Sequence, residues 1–456
     1  MFTDEVARCA VFLFLRKESQ LGTAMKLTKL HIHGYRDIAP GTGLVFSPAL
    51  NLVLGENGTG RTTLLELISR VLASDFSGLI REEFSLEYAL SFPGMELHVT
   101  VRNTRATGAS RPAVTAREES ALLLPRPPEA APGLEPFMEL VLELDAPGPR
   151  LVMRADATGV AWEVDGQPAY SQTMYWSLLD RTVWVVLFMT AQRLEPEVRE
   201  PLKELLRRTF LLAPARFDEG LGTFQQIGNT QYGMEMRGDE VFPLGLMWLP
   251  AWMPGLLRER VAREMPPPAG HLDIRHDEVE RGFLARFVSL AGFSAGTFRV
   301  ELLDKRSYEG GGRLEFGRFG FRFTRRDGAV LTQEQLGHGQ KRLLSFLYYL
   351  DVNEDFVIAD ELANSLHPRH VEACVRELGR RQSFLTSQNP LLFEHIPLGS
   401  AEEARASLLH CGTELRDGRE WKVCTNPSPE TAAKLFGAYQ RGDTPLATLL
   451  RTHGLW

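Results

Sequence analysis

The sequence predicts an α/β fold: a mixed sheet with helices, an antiparallel β-subdomain and a helical insertion. Three observations predict it. A buried-strand pattern at Leu50–Leu54 passes through a glycine-rich turn into a helix with apolar spacing at Leu64, Leu67, Ile68 and Val71. A second buried-strand pattern, Phe356–Ala359, ends in Asp360 and Glu361. Between them, residues 80–190 read as short alternating strands and residues 195–295 as helices.

Composition sets the outer limits. The chain has 456 residues, 44% hydrophobic and 24% charged, enough for two or three structural units with a sizeable core. A net charge of −7 excludes a whole-protein basic field for nucleic acid, so any such contact would need a local patch. Cys9, Cys374, Cys411 and Cys424 lack zinc-ligand spacing and read as free thiols of a reducing cytosol. No apolar run reaches the roughly 18 residues that cross a bilayer, so a cytoplasmic location without a membrane partner is expected.

Residues 1–24 read as an N-terminal extension, a loosely attached helix or an over-long gene start, because Met25 opens MKLTKLHIHGYRDI like a natural beginning. Residues 25–194 form the expected N-terminal lobe. Within it, GENGTGRTT (residues 55–63) matches the phosphate-loop pattern G-x-x-x-x-G-K-[ST] except that Arg61 stands for lysine. A glycine loop between strand and helix aims backbone N–H groups and the positive helix end at one spot, where phosphates bind. Gly55, Asn57, Gly58, Gly60, Arg61, Thr62 and Thr63 are therefore candidate nucleotide ligands, and the Thr62 hydroxyl is a candidate for Mg²⁺. Arg61 keeps the positive charge, but a planar fork does not replace a compact ammonium at a tight site. Phosphate binding should survive and turnover should suffer.

FSLEYALSF, ELHVTVRN, FMELVLELD and RLVMRADATGVAWEVDG supply the strands of the β-subdomain. Residues 106–136, rich in Pro, Ala and Arg, read as a mobile loop. Gln192 ends the apolar run VWVVLFMTAQ and is either an ordinary polar residue at a strand end or a metal-sensing glutamine. In the insertion, EPEVREPLKELLRRTFLL and HDEVERGFLARFVSLAGF have helical spacing. Trp248, Trp252 and Met253 between them form either the core of the insert or a partner-binding surface.

Residues 296–400 form the expected C-terminal lobe. Phe319, Phe321 and Phe323 alternate with Arg318 and Arg322, giving one apolar and one basic strand face. The basic face is either a solvated surface or a salt-dependent contact to a nucleic-acid backbone. Leu343, Leu347 and Leu350 mark a helix whose N-terminus carries Gly337, Gly339 and Gln340, a second candidate anion site. Asp360, at a strand's C-terminal end, is a candidate for Mg²⁺, and Glu361 for the attacking water. In the tail, residues 401–456, SPETAAKLFGAYQRG reads as a helix with Ser428 as N-cap and Pro429 at its first position. It holds no carboxylate cluster of a nuclease, so nucleic-acid cleavage is expected of another polypeptide.

GENGTGRTTLLE, LGHGQKRLL, ADELANSLHP and FLTSQNPLLF, in this order, resemble the P-loop, ABC-type ATPase heads of the RecF/SMC class, and among them the arm-less AAA-like ATPases of bacterial anti-phage defence systems of OLD, Septu and PARIS type. KLTKLHIHGYRDI is also similar to the start of that class; the resemblance implies that Arg36 approaches the nucleotide, the alternative being a surface arginine at a strand end. It further implies a homodimer or higher homo-oligomer in which Gly337, Gly339 and Gln340 of one head cover the γ-phosphate held by residues 55–63 of the other. ATP and Mg²⁺ would sit at the seam, with Asp360 and Gln192 serving the metal. Glu361 would serve the water, and Gln388 would stand where the class has a switch histidine.

Three departures from the pattern fall at the chemistry. Arg61 replaces lysine, Gly337 replaces a serine hydroxyl, and Gln388 cannot carry the charge of histidine. Each would cost about 1–3 kcal/mol of transition-state stabilisation. The expectation is a slow ATPase acting as a sensor or switch over a separate nuclease or toxin effector, in anti-phage defence or DNA transactions. A nucleotide-locked, non-hydrolysing scaffold that cages an effector is the alternative; an ATP-binding subunit of a transporter fits less well.

Overall fold

The computed structural model describes residues 25–105, 133–145, 148–156, 159–173, 179, 216–218, 232–237, 240–243, 270–278, 282–309, 311–353 and 355–456. The chain divides into two compact units. One takes in Thr23–Leu211 and Leu398–Thr444, the other Leu212–Pro397.

The first unit opens with strands β1 (Lys26–Tyr35), β2 (Thr42–Val45) and β3 (Leu50–Leu54), followed by helix α1 (Arg61–Ala73). Strands β4 (Phe84–Phe92), β5 (Met95–Arg105), β6 (Leu134–Leu144), β7 (Arg150–Asp156), β8 (Gly159–Val164) and β9 (Gln167–Thr173) come next. They build an eight-stranded sheet in the order β2-β1-β4-β5-β6-β7-β8-β9, antiparallel at every step. The predicted antiparallel subdomain is present. Its cause is the period-2 pattern: Phe84, Leu86, Tyr88 and Leu90 on β4 and Leu97, Val99 and Val101 on β5 are all buried. Strand β6 begins at Leu134, inside the stretch expected to be loop; residues 106–132 lie outside the described residues.

The second unit contains β10 (Tyr232–Arg237), β11 (Glu240–Pro243), β12 (His271–Arg275), α2 (Phe283–Ala291), β13 (Ala295–Tyr308), β14 (Gly311–Thr324) and β15 (Val330–Thr332). Strands β10 to β14 form a sheet in the order β11-β10-β14-β13-β12. The region expected to be a helical insertion therefore contributes β10, β11 and β12 as well as α2. Their strand identity comes from long-range pairing, for example Met234 opposite Leu314 and Leu272 opposite Val300. On β14, Leu314, Phe316, Phe319, Phe321 and Phe323 are buried while Arg313, Arg318 and Arg322 are exposed, as the alternation predicts. Phe321 packs tilted against Phe298 at 4.8 Å and meets Phe283 edge-on at 5.8 Å.

The same unit continues with α3 (His338–Val352), β16 (Phe356–Ala359), α4 (Pro368–Glu377) and β17 (Gln382–Leu385), with β16 and β17 parallel and fully buried. The chain then returns to the first unit with α5 (Ala401–Ser407), β18 (Leu408–Arg416), β19 (Arg419–Thr425) and α6 (Pro429–Arg441). Here β18 lies parallel beside β3, Leu408 opposite Leu52, and β19 pairs antiparallel with β18. Part of the predicted tail is thus sheet, built onto the strand that leads into the glycine loop. Helix α6 starts as expected, with the Ser428 hydroxyl accepting from Thr431 N–H and Pro429 at its first position.

Candidate nucleotide-binding site

Strand β3 is buried along Asn51, Leu52, Val53 and Leu54, and α1 is held down by Leu64, Leu65, Leu67, Ile68, Val71 and Leu72. The loop between them needs its glycines. Gly55, Gly58 and Gly60 have φ of 135°, 84° and 98°, a left-handed region that disfavours side chains. A Cβ on Gly55 would lie 2.1 Å from the Cys411 carbonyl oxygen, and one on Gly60 would lie 2.6 Å from Lys422 Cδ. Thr59 closes the turn, its hydroxyl donating to the Glu56 carbonyl at 2.8 Å.

Gly60 caps α1 without any side-chain hydrogen bond, and the helix's first turn holds no acid. The positive end of a 13-residue helix is thereby left to a ligand. Thr62 is exposed and Thr63 half-buried at that end. Arg61 behaves differently from the lysine whose place it takes. It is only 8% exposed, and its Nη2 donates to the Asn57 side-chain oxygen at 3.1 Å. Its charge also reaches Cys411 on β18. Hydrogen bonding to Cys424 and then burial push that thiol well above its ordinary value, and Arg61 pulls the other way. Cys411 and Cys424 face each other across β18 and β19 with their sulfurs 3.0 Å apart, a neighbourhood that their spacing did not reveal.

Arg36, at φ 50°, is the hub of an ion-pair cluster in the same unit. Its Nε donates to Glu82 at 2.8 Å and its Nη1 to Glu66 at 3.0 Å. The bond to Glu82 raises the guanidinium above its ordinary value. Burial works against the Glu66 carboxylate, yet Arg70 and Arg36 hold it below the usual range.

In the second unit, β16 delivers Asp360 and Glu361 at its C-terminal end. Glu361 sits at φ 51° and is tethered at three points. Its N–H donates to the Thr386 hydroxyl oxygen at 2.8 Å, its carbonyl accepts from Arg342 Nη2 at 2.7 Å, and its Oε2 accepts from the Gln388 N–H at 2.8 Å. The Thr386 hydroxyl in turn donates to the Asp360 carboxylate. The structure thus brings Asp360, Glu361 and Gln388 together. Thr386, Arg342 and Asp218, whose carboxylate accepts from the Asp360 N–H at 3.4 Å, complete the cluster, and sequence reasoning missed them. Arg342 and Thr386 lie inside two of the quoted motifs, LGHGQKRLL and FLTSQNPLLF, without having been singled out, and Asp218 lies in none. Burial lowers Arg342 from its ordinary value, with Asp218, Cys374 and Glu361 opposing.

At the start of α3, Gly337 is the N-cap, and the Gln340 side chain turns back to accept from the Gly337 N–H at 3.2 Å. A Cβ on Gly339 would stand 2.8 Å from the Ser365 carbonyl oxygen, so glycine is required there by close packing. A Cβ on Gly337 would meet nothing closer than 3.7 Å.

Other expected sites fare unevenly. Gln192, Trp248, Trp252 and Met253 lie outside the described residues, as do residues 1–24. The arginines beside the phenylalanine ladder stand among acids: Arg299 pairs with Asp273, Arg318 with Glu301 and Arg325 with Asp327. This face has the character of a solvated, charge-balanced surface. Among the described residues, no helix is long and apolar enough to cross a membrane.

Residues 29–114 match an AAA domain. The match takes in the glycine loop and α1, and an AAA domain implies ATP binding, with hydrolysis the expected chemistry. A search among curated proteins finds no match. Among solved structures the chain is similar to the SMC head domain from Thermotoga maritima, at 14% identity and a TM-score of 0.36, over 88% of this chain and 99% of that one. It is also similar to an Smc head domain with an extended coiled coil bound to the C-terminal domain of ScpA from Pyrococcus furiosus, at 11% identity and a TM-score of 0.34, over 91% and 100%. A third structure, from work on ATP-driven dimerization and DNA-stimulated activation of SMC ATPases, aligns at 15% identity and a TM-score of 0.21, over 36% of this chain and 92% of that one.

Proposed function

We propose that this protein is an ATP-binding, slowly hydrolysing head of ABC type that pairs head to tail around ATP and switches a separate effector. The observation that carries the reading is the glycine cradle. Three left-handed glycines, two of them packed where no Cβ fits, lead into a helix end that no side chain caps, inside the segment matching an AAA domain. Such a cradle suits the phosphates of ATP.

The residues then take the following roles. Backbone N–H groups of residues 55–63 hold the phosphates. The Thr62 hydroxyl of the first unit and the Asp360 carboxylate of the second, the latter oriented by Thr386, are each hard oxygen donors of the kind Mg²⁺ takes. When bound, that ion would neutralise phosphate charge. Glu361, fixed by Thr386, Arg342 and Gln388, orients the attacking water and takes its proton. Gly337, Gly339 and Gln340 would cap the terminal phosphate held by the other copy. Gln388 offers hydrogen bonds but no positive charge, and the buried Arg61 offers the phosphates less than a lysine would, so turnover is slow.

The finer role, sensing a phage-derived or DNA trigger and releasing a nuclease or toxin, rests on the resemblance of four motifs to defence ATPases. The commitment of Arg61 to Asn57 favours a second reading, a nucleotide-locked scaffold with no turnover. Sedimentation with Mg²⁺ and a non-hydrolysable ATP analogue tests the pairing, and phosphate release from ATP separates the two readings. A shift from monomer to dimer with the analogue, and with ATP a dimer that reverts as the ATP is consumed, is the expected result. A sedimentation profile unchanged by nucleotide would contradict the pairing, and a dimer that forms without any phosphate release would favour the scaffold.

A further inference from the structure

Lys422 on β19 is a lysine that the nucleotide reading did not use, and it lies against the phosphate loop. Its side chain passes over Gly60 so closely that a Cβ on that glycine would stand 2.6 Å from Lys422 Cδ and 3.3 Å from its Cβ and Cγ. Its backbone is fixed at both polar atoms: its N–H donates to the Asp37 carbonyl and its carbonyl accepts from the Ala39 N–H, each at 2.8 Å. The stem is therefore anchored beside the helix end. The ammonium is not anchored in the same way. It rests on the Asp37 carboxylate at 2.6 Å, with side chains 24% and 42% exposed. Ion pairs this open to water are worth little, about 0–1 kcal/mol.

The loop's own cation is placed differently. Arg61 is buried and spends a guanidinium N–H on Asn57 inside the loop. Lys422 Nζ stands two single bonds, each about 1.5 Å, beyond a Cδ already packed on Gly60. Rotation about the Cγ–Cδ and Cδ–Cε bonds moves the ammonium off Asp37 while the rest of the stem stays on Gly60, the residue that caps α1. A polyphosphate there carries several negative charges, whereas Asp37 carries one.

We propose that Lys422 is a phosphate-binding residue of this site, leaving Asp37 for the phosphates when nucleotide binds and supplying the ammonium that position 61 lacks. The ligand class is a nucleoside di- or triphosphate. Asp37 is then a competitor that holds the lysine at the loop while the loop is empty. This rests on the ATP-binding reading above, and the outcomes below separate the two.

Equilibrium binding of ATP and ADP to the full chain is compared for the wild type, Lys422→Met, Lys422→Arg and Asp37→Asn, with a thermal melt of each. Methionine keeps the stem over Gly60 without its charge and is expected to weaken binding about tenfold to a hundredfold. Arginine should restore most of the loss. Asparagine at 37 releases the ammonium and should tighten binding, by up to about fivefold. A purely structural Lys422–Asp37 pair predicts the reverse for Asp37→Asn, since both removals would then loosen the loop and weaken binding alike. Wild-type binding with Lys422→Met unchanged, or with Asp37→Asn weakened to match it, overturns the role of Lys422 alone. Failure of the wild type to bind either nucleotide overturns both proposals.

Discussion

Replacing Glu361 with glutamine is expected to lower ATP turnover about 10²- to 10⁴-fold, the usual range for losing a general base. ATP retention should be close to unchanged. The substitution is well posed because Glu361 is held by groups that glutamine leaves in place. Its N–H bond to Thr386 and its carbonyl bond from Arg342 are backbone interactions, and the Gln388 N–H can still meet an amide oxygen. What disappears is the ability to take a proton. Phosphate release measured in single turnover, beside ATP binding at equilibrium, reads the two effects separately. Equal turnover in the variant and the parent would mean that another group orients the water.

The largest effect on the fold of the site is expected from Gly55→Ala. The added methyl would stand 2.1 Å from the Cys411 carbonyl oxygen, which belongs to β18 and cannot swing aside as a long side chain does. The backbone at φ 135° adds its own strain. Together these should cost about 3 kcal/mol or more and abolish ATP retention. Gly58→Ala is the internal comparison. It has the same kind of positive φ, 84°, but nothing within 4 Å of its Cβ, so only about 1–2 kcal/mol of strain is expected. Thermal unfolding of the two variants side by side checks the difference. Equal losses would mean that the packing of Gly55 on β18 does not fix the loop.

Much of this arrangement was legible because it is written locally. The β3–loop–α1 unit follows from four consecutive buried positions, three glycines and a 3.6-residue apolar spacing. The β-subdomain and the Phe319–Phe323 half of β14 follow from apolar alternation, and α6 from Ser428 and Pro429. The rest depends on partners far away in the chain. Residues 232–237 became a strand because β14 offered its edge, as Glu235 opposite Arg313 and Met236 opposite Gly312 record, and residues 240–243 because that strand offered its other edge, with Phe242 opposite Glu235, not because their own pattern was strong. β18 is placed by β3, with Leu409 opposite Val53, hundreds of positions earlier in the chain. The same holds at the site. Asp360 and Glu361 announce themselves at the end of an apolar run, but Thr386, Arg342 and Asp218 hold them through bonds that no spacing rule foretells. Arg61 was visible as a departure from a motif; its burial against Asn57 was not. Lys422 carries no motif at all, and only the packing of its stem on Gly60 marks it.

The most direct test of the central claim, that residues 55–63 hold the phosphates of ATP, is a calorimetric titration of MgATP into the wild type and into Thr62→Glu. Thr62 is exposed in the first turn of α1, where an acid suits the helix end, so the variant should fold normally while placing a carboxylate in the cradle. Saturable binding of one ATP per wild-type chain, absent in Thr62→Glu, is the predicted result. No saturable binding by the wild type, or equal binding by the variant, would contradict it.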